Sequence, residues 1–206
     1  GDHRDLHSFP TRRSSDLLRN ESRITGSTMH YALALKSTND QSDHYKYFID
    51  KEEHPGFPRD TLKKMRHGQT NEINAIATFV SRIMPAILPR CYKWREVGCA
   101  FLDGANVERL MEVSPDGLLQ CRRMTNHTCK WLGQDCKERI VMEMKCPCPP
   151  DACVEPNNYY VCSYHLCQVM SEMKATNTDT IWYVSYTKES TTLCEMTFDD
   201  DLWNTL

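Results

Sequence analysis

The chain lacks any apolar run long enough to cross a membrane. Stretches such as Ile73–Ala77 and Ile83–Leu88 are interrupted by polar residues or proline, far short of the roughly 20 residues a spanning helix requires. It also lacks an excess of charge of either sign: 25 Lys and Arg face 28 Asp and Glu, for a net charge of -3. No global field draws nucleic acid, so any such binding has to come from local clusters such as Arg59, Lys63, Lys64 and Arg66. No internal repeat, low-complexity segment or cleavable signal peptide is visible in the sequence either. The eleven cysteines are odd in number and spread along a long chain, so reduced, intracellular thiols are expected rather than a disulfide framework. What remains, 40% hydrophobic and 26% charged in 206 residues, is the composition and size of one folded domain.

The first seventeen residues, GDHRDLHSFPTRRSSDL, are polar and turn-rich, without the apolar period that places a segment on a core. They resemble the in-frame translation of a common short-read sequencing adapter along their whole length. We therefore expect residues 1–17 to be a disordered, artefactual tail, residues 18–206 to form the domain, and its true ends to be incomplete. Removing the tail takes away three bases and three acids, leaving 22 against 25 and the same net charge.

Beyond the tail, Ile24, Thr28, Tyr31, Ala32 and Leu35 recur at helical spacing, and Ser27 is a plausible N-cap, so a helix is expected to start near residue 27. Ser37–Arg59 has loop composition and is given no element. Ile73, Ile76, Ala77, Val80, Ile83, Met84 and Ile87 form one stripe, predicting a helix over Thr70–Leu88 closed by Pro85 and Pro89. Meander strands are expected at Trp94–Leu102, Val107–Val113, Gly117–Cys121 and Ile140–Lys145. A Pro- and Asn-rich loop over Pro147–Asn158 precedes a second long helix, Tyr159–Ala175. Strands at Thr180–Tyr186 and Thr192–Phe198 and the start of a helix at Asp199–Leu206 complete the pattern.

The chemistry concentrates in two places. Ser114-Pro115-Asp116-Gly117 joins two expected strands, and on a later strand Glu143 and Lys145 are two residues apart, hence on one face. Hydrolysis of a phosphodiester needs hard oxygen ligands for Mg2+ or Mn2+. Asp116, Glu143 and the backbone carbonyl of Met144 can supply them. Lys145 beside them can orient the attacking water, help deprotonate it and screen charge on the phosphate. A P-D followed by E-x-K is common by chance, and its plain alternative is a turn and a surface ion pair.

The surroundings make the pattern specific. The runs S-P-D-G-L at Ser114–Leu118 and E-M-K-C-P at Glu143–Pro147 resemble the S-P-D-G-L and E-(I/L/V)-K-C-P motifs of the lambda exonuclease and YqaJ viral recombinase family, of the PD-(D/E)xK nuclease superfamily. Gln168 and Met173 in H-L-C-Q-V-M-S-E-M-K-A-T, followed by Ile181-Trp182-Tyr183-Val184-Ser185-Tyr186, are similar to its later helix and strand. Upstream, Gly68–Glu72 resembles the G-x-x-x-E start of a helix whose glutamate faces the metal. Arg23-Ile24-Thr25-Gly26-Ser27 resembles the R-x-T-(A/G)-S entry motif, with Arg19 as an alternative to Arg23. The resemblance implies an α/β fold with a central mixed sheet flanked by helices and the site at the sheet's edge. It also implies a catalytic group of Asp116, Glu143, Lys145, Gln168 and Glu72, metal at Asp116, Glu143 and Met144, and phosphate binding by Arg23 and Ser27. The expected reaction is Mg2+-dependent hydrolysis of DNA, 5′-to-3′ from duplex ends in recombination or repair. The polarity and a possible ring-shaped homotrimer are implied by the resemblance alone.

Two features depart from the family pattern. Asp116 and Glu143 are 27 residues apart, longer than the family's short hairpin, and the added segment holds Cys121, His127, Cys129 and Cys136. Their C-x7-C and C-x6-C spacings lack the close pairs of structural zinc sites. Cys146, Cys148, Cys153, Cys162, His165 and Cys167 form a second group without the C-x2-C runs of an iron–sulfur site. The rival readings are a catalytically inactive DNA-binding module of the same fold and a cysteine-rich metal-binding interaction module.

Overall fold

A computed structural model describes residues 22–88, 90–104, 107–121, 128–129, 134–135, 139–148 and 160–206, with side chains omitted at 107–108, 128–129 and 134–135. The tail over 1–17, Arg19, His127, Cys136 and Cys153 lie outside the described residues, as does most of the expected Pro147–Asn158 loop. The elements run β1 (Ile24–Thr25), α1 (Met29–Ala32), α2 (Thr38–His44), α3 (Arg59–Thr78), α4 (Met84–Ile87), β2 (Tyr92–Arg95), β3 (Ala100–Gly104), β4 (Val107–Val113) and β5 (Gly117–Cys121). There follow β6 (Thr128–Cys129), β7 (Gln134–Asp135), β8 (Arg139–Lys145), α5 (Ser163–Thr176), β9 (Thr180–Tyr186), β10 (Thr191–Thr197) and α6 (Asp200–Thr205).

The main sheet has the order β10-β9-β8-β5-β2, with β8 at its centre. β8 and β9 pair in parallel while the other neighbours are antiparallel. A parallel pair needs a crossover, and α5 supplies it. A smaller sheet, β1-β4-β3, stands beside the main one, and β6 and β7 form a ribbon in the long connection from β5 to β8.

Alternation along β8 sorts its residues between two layers. Ile140, Met142 and Met144 join Ala75 of α3 and Phe79 just beyond it with Leu119, Trp182 and Val184. Val141 joins Val169, Met170 and Met173 of α5 with Leu118, Ile181 and Tyr183. Each fully buried side chain of this kind contributes about 1.5–3 kcal/mol before entropy is counted. The expected mixed sheet between helices is therefore present, but β8 is a central strand and the Glu143 position is not at a sheet edge.

Several element boundaries differ from expectation. The long helix begins at Arg59 rather than Thr70 and passes through Pro85, because a π turn over Phe79–Ile83 precedes the proline. Proline removes one backbone donor and crowds the preceding turn, and a wider turn relieves both. Its inward stripe is Glu72, Ala75, Ile76 and Phe79, whereas Ile73 is 66% exposed. The expected Trp94–Leu102 strand is two strands in different sheets, split at buried Val97 and Cys99. Ser27 is not a helix N-cap: Thr25 precedes a tight turn over Gly26–Thr28, and α1 ends where Ala34 turns to φ 55°. The Ser37–Arg59 stretch carries α2, capped by the Ser37 hydroxyl, which accepts from the Asp40 N–H at 3.1 Å.

Candidate active site

The register of β5 and β8 places Asp116. Their ladder ends at Gly117 opposite Met142. One residue before it, the Asp116 N–H donates to the Met142 carbonyl at 3.0 Å, and the Asp116 carboxylate Oδ2 accepts from the Met144 N–H at 2.7 Å. The side chain thus takes the place of the next strand carbonyl. N–H and C=O of one strand residue point to the same side, so the Met144 carbonyl faces the Asp116 side too. Gly117 is required for space: a Cβ there would collide with Trp94 Nε1, a buried indole nitrogen.

On the α5 face of β8 a closed set of hydrogen bonds forms. Lys145 Nζ donates to Glu143 Oε1 at 2.6 Å and to Gln168 Oε1 at 3.0 Å. Gln168 Nε2 donates to the same Glu143 oxygen at 2.6 Å and to Glu172 Oε1 at 2.8 Å. Glu143, Gln168 and Glu172 are buried, while the Lys145 side chain keeps 24% of its surface exposed. Lys145 therefore opens this otherwise covered group to solvent.

Burial pushes the Asp116 carboxyl well above the usual carboxylate range, with help from the negative charges of Glu143 and Glu72 and against the Met144 N–H and Lys145. Burial followed by Glu143 does the same to Glu172. For Lys145 burial alone favours the neutral amine, but Glu143 and Asp116 outweigh it and hold the ammonium more firmly than usual. The Cys146 thiol is pushed up to about 12 by burial, Asp116 and Glu72. This is a pocket of several acids around one ammonium.

Such an oxygen-rich, negatively biased set suits a hard divalent cation. Among the described residues no group of three or more His, Cys, Asp or Glu side chains converges to hold a metal. Asp116, Glu143 and the Met144 carbonyl form a smaller set, of the kind a magnesium ion completes with waters and substrate phosphate. Cys146, Cys148, Cys162, His165 and Cys167 likewise form no such group among the described residues.

The structure brings Glu143, Lys145 and Gln168 into direct contact, with Asp116 joined to them through Met144. Glu72 approaches from the opposite helix layer and acts on Asp116 electrostatically, sitting in the fourth turn of its helix rather than the first. Arg23 and Ser27 are exposed. The turn they flank backs onto α5, since a Cβ on Gly26 would lie 3.4 Å from Ser171 Oγ and 3.5 Å from Gln168 Cγ. Glu172 escaped the sequence reading, although its four-residue spacing from Gln168 marks it as a neighbour on one helix face. A separate surface cavity, lined by Arg139, Lys174, Asn177 and Phe198, opens at the far ends of β8 and α5.

A family model for the YqaJ-like viral recombinase domain matches residues 17–179. Comparison with the curated proteins finds no match. Among solved structures, the chain is similar to an alkaline exonuclease (LHK-Exo) from Laribacter hongkongensis, at 16% identity and a TM-score of 0.58, over 94% of this chain and 86% of that one. The crystal structure of LHK-Exo in complex with dAMP matches with the same values. These likenesses agree with the mixed α/β fold described above.

Proposed function

The chain belongs to the YqaJ-like viral recombinase domain family, and on that premise we propose that it is a metal-dependent deoxyribonuclease, using Mg2+ or Mn2+, that degrades duplex DNA from its ends in the 5′-to-3′ sense. The observation that carries the proposal is the bonded group of Glu143, Lys145 and Gln168 beside Asp116. The similarity to a protein described as an alkaline exonuclease points the same way.

A divalent cation held by Asp116, Glu143 and the Met144 carbonyl would polarise the scissile phosphate and acidify the attacking water. The chain's own residues supply the rest. Lys145, kept cationic by Glu143, lies where its charge can offset that building on the phosphate oxygens, a role that suits it better than proton abstraction. Gln168 fixes the direction of the ammonium through its amide oxygen. Glu72 adds negative charge on the Asp116 side and strengthens the demand for a cation. Arg23 and Ser27, exposed beside α5, would hold the phosphate end of the substrate. Arg59, Lys63, Lys64 and Arg66 occupy exposed early turns of the helix bearing Glu72, where they can meet the DNA backbone. A ring-shaped homotrimer around DNA is part of the same proposal.

The test is hydrolysis of linear duplex with Mg2+ by the wild-type protein and by Lys145→Ala. Loss of an electrostatic stabiliser of this kind lowers the rate by about 10²–10³. Equal product from both proteins would overturn the catalytic reading and leave a DNA-binding module.

A further inference from the structure

We propose that Glu172 is a positioning residue that braces the Gln168 amide, and so fixes how Lys145 is presented to a substrate phosphate; this rests on the nuclease reading above. A glutamine amide offers two N–H donors and one carbonyl acceptor. In Gln168 all are committed: Oε1 accepts from Lys145, one N–H goes to Glu143, and the other to Glu172. Glu172 stands one helical turn further along α5 and is 1% exposed, so its acceptor oxygen is held by the packed helix rather than by solvent. Without it, the second N–H of Gln168 would be buried with no partner, and the side chain would leave its place to find one.

Packing alone gives no reason for an acid here. Val169, Met170 and Met173 on the same helix bury apolar side chains against the sheet. Glu172 instead buries a carboxylate whose Oε2 has no hydrogen-bond partner among the described residues. Burial and the nearby Glu143 both weigh against its charged form. A methionine of similar length would fill the space without burying a carboxylate. The acceptor oxygen is therefore what the position supplies, and a glutamine, which keeps an acceptor without the charge, can supply it too.

The experiment compares Glu172→Met and Glu172→Gln in the full chain, by thermal melting, steady-state hydrolysis of linear duplex, Mn2+ titration and side-chain amide NMR. Glu172→Met is expected to stay folded, to lose about 10–100-fold in kcat with KM for DNA unchanged, and to bind Mn2+ as wild type does. Glu172→Gln is expected to recover most of that loss. In NMR the Gln168 amide protons, slow to exchange in wild type and Glu172→Gln, should exchange rapidly in Glu172→Met. Full kcat in Glu172→Met, no recovery in Glu172→Gln, or weakened Mn2+ binding would each overturn the brace. An inactive wild type would overturn the nuclease reading instead, and the amide exchange would still decide whether Glu172 holds Gln168.

Discussion

Two collections of ionisable groups border helix α5, and burial drives them in opposite directions. The first holds Asp116 and Glu172, both raised by burial and by the charge of Glu143. The second holds three histidines. Burial and then Lys36 lower His30 to about 4, and burial and then Lys145 lower His165 to about 3. Burial and Lys51 also lower His44, which is 2% exposed. Both regions are pushed toward neutrality, but they reach it differently. The histidines shed protons and pack among rings: His30 lies 3.9 Å from the Tyr31 ring, His44 stacks 5.2 Å from Phe48, and His165 Nδ1 is 2.8 Å from the Tyr183 hydroxyl. The carboxylates keep a charged lysine among them, which leaves a surplus of negative charge whenever they ionise. The neutral histidines need no counter-charge, whereas the ionised carboxylates favour added positive charge.

Disturbing the seat of the acids should produce the largest effect on this contrast. Gly117→Ala puts a methyl group into the Trp94 indole, and such overpacking costs about 1–3 kcal/mol. A lower melting temperature with displaced Asp116 is expected, together with loss of hydrolysis. An unchanged melting curve would show that the indole yields without cost.

A second effect lies in pH dependence, measured in EDTA. Where the folded pKa of a carboxyl is raised, the folded state binds more protons than the unfolded chain, so stability falls as pH rises from about 4 through the raised value. Where that of a histidine is lowered, the unfolded chain binds more protons, so stability falls as pH drops below about 6.5 toward the folded value. Melting temperature should therefore decline on both sides of an intermediate optimum. Asp116→Asn should flatten the limb toward high pH and leave the acid limb as it was, and an unaltered slope above the optimum would count against buried Asp116 as its source. Added Mg2+ should flatten the same limb in wild type and not in Asp116→Asn.

The smallest expected change lies on the histidine side. Tyr183→Phe removes the partner of His165 Nδ1, which costs about 1 kcal/mol. Melting temperature should fall slightly while the rate of hydrolysis holds. A large loss of rate would mean that the two groups are not independent.

The site was more legible in the sequence than the scaffold around it. Asp116, Glu143, Lys145 and Gln168 stood in short runs whose order survives without knowledge of contacts, and the period of β8 already put Glu143 and Lys145 on one face. The start of α3 was hidden because its first turns are polar and its Leu62 and Met65 are 46% and 44% exposed, so no apolar stripe marks them. Ile73 misled for the opposite reason, being apolar and exposed. The division of Trp94–Leu102 between two sheets depends on which distant strands claim each half, which no local pattern records. Glu172 reads as a solvated helix former, and only packing reveals that it is enclosed.

The backbone bond from the Asp116 N–H to the Met142 carbonyl, and the bond from the Met144 N–H to the Asp116 carboxylate, tie Asp116 at two points to the strand that bears Glu143. The gap between the two residues is thereby gauged by the spacing of adjacent strands, about 4.8 Å. When the sheet breathes, both carboxylates ride on the same ladder and keep their separation. Drift in the surrounding core can then change nearly every neighbour while the distance between the two acids stays the same.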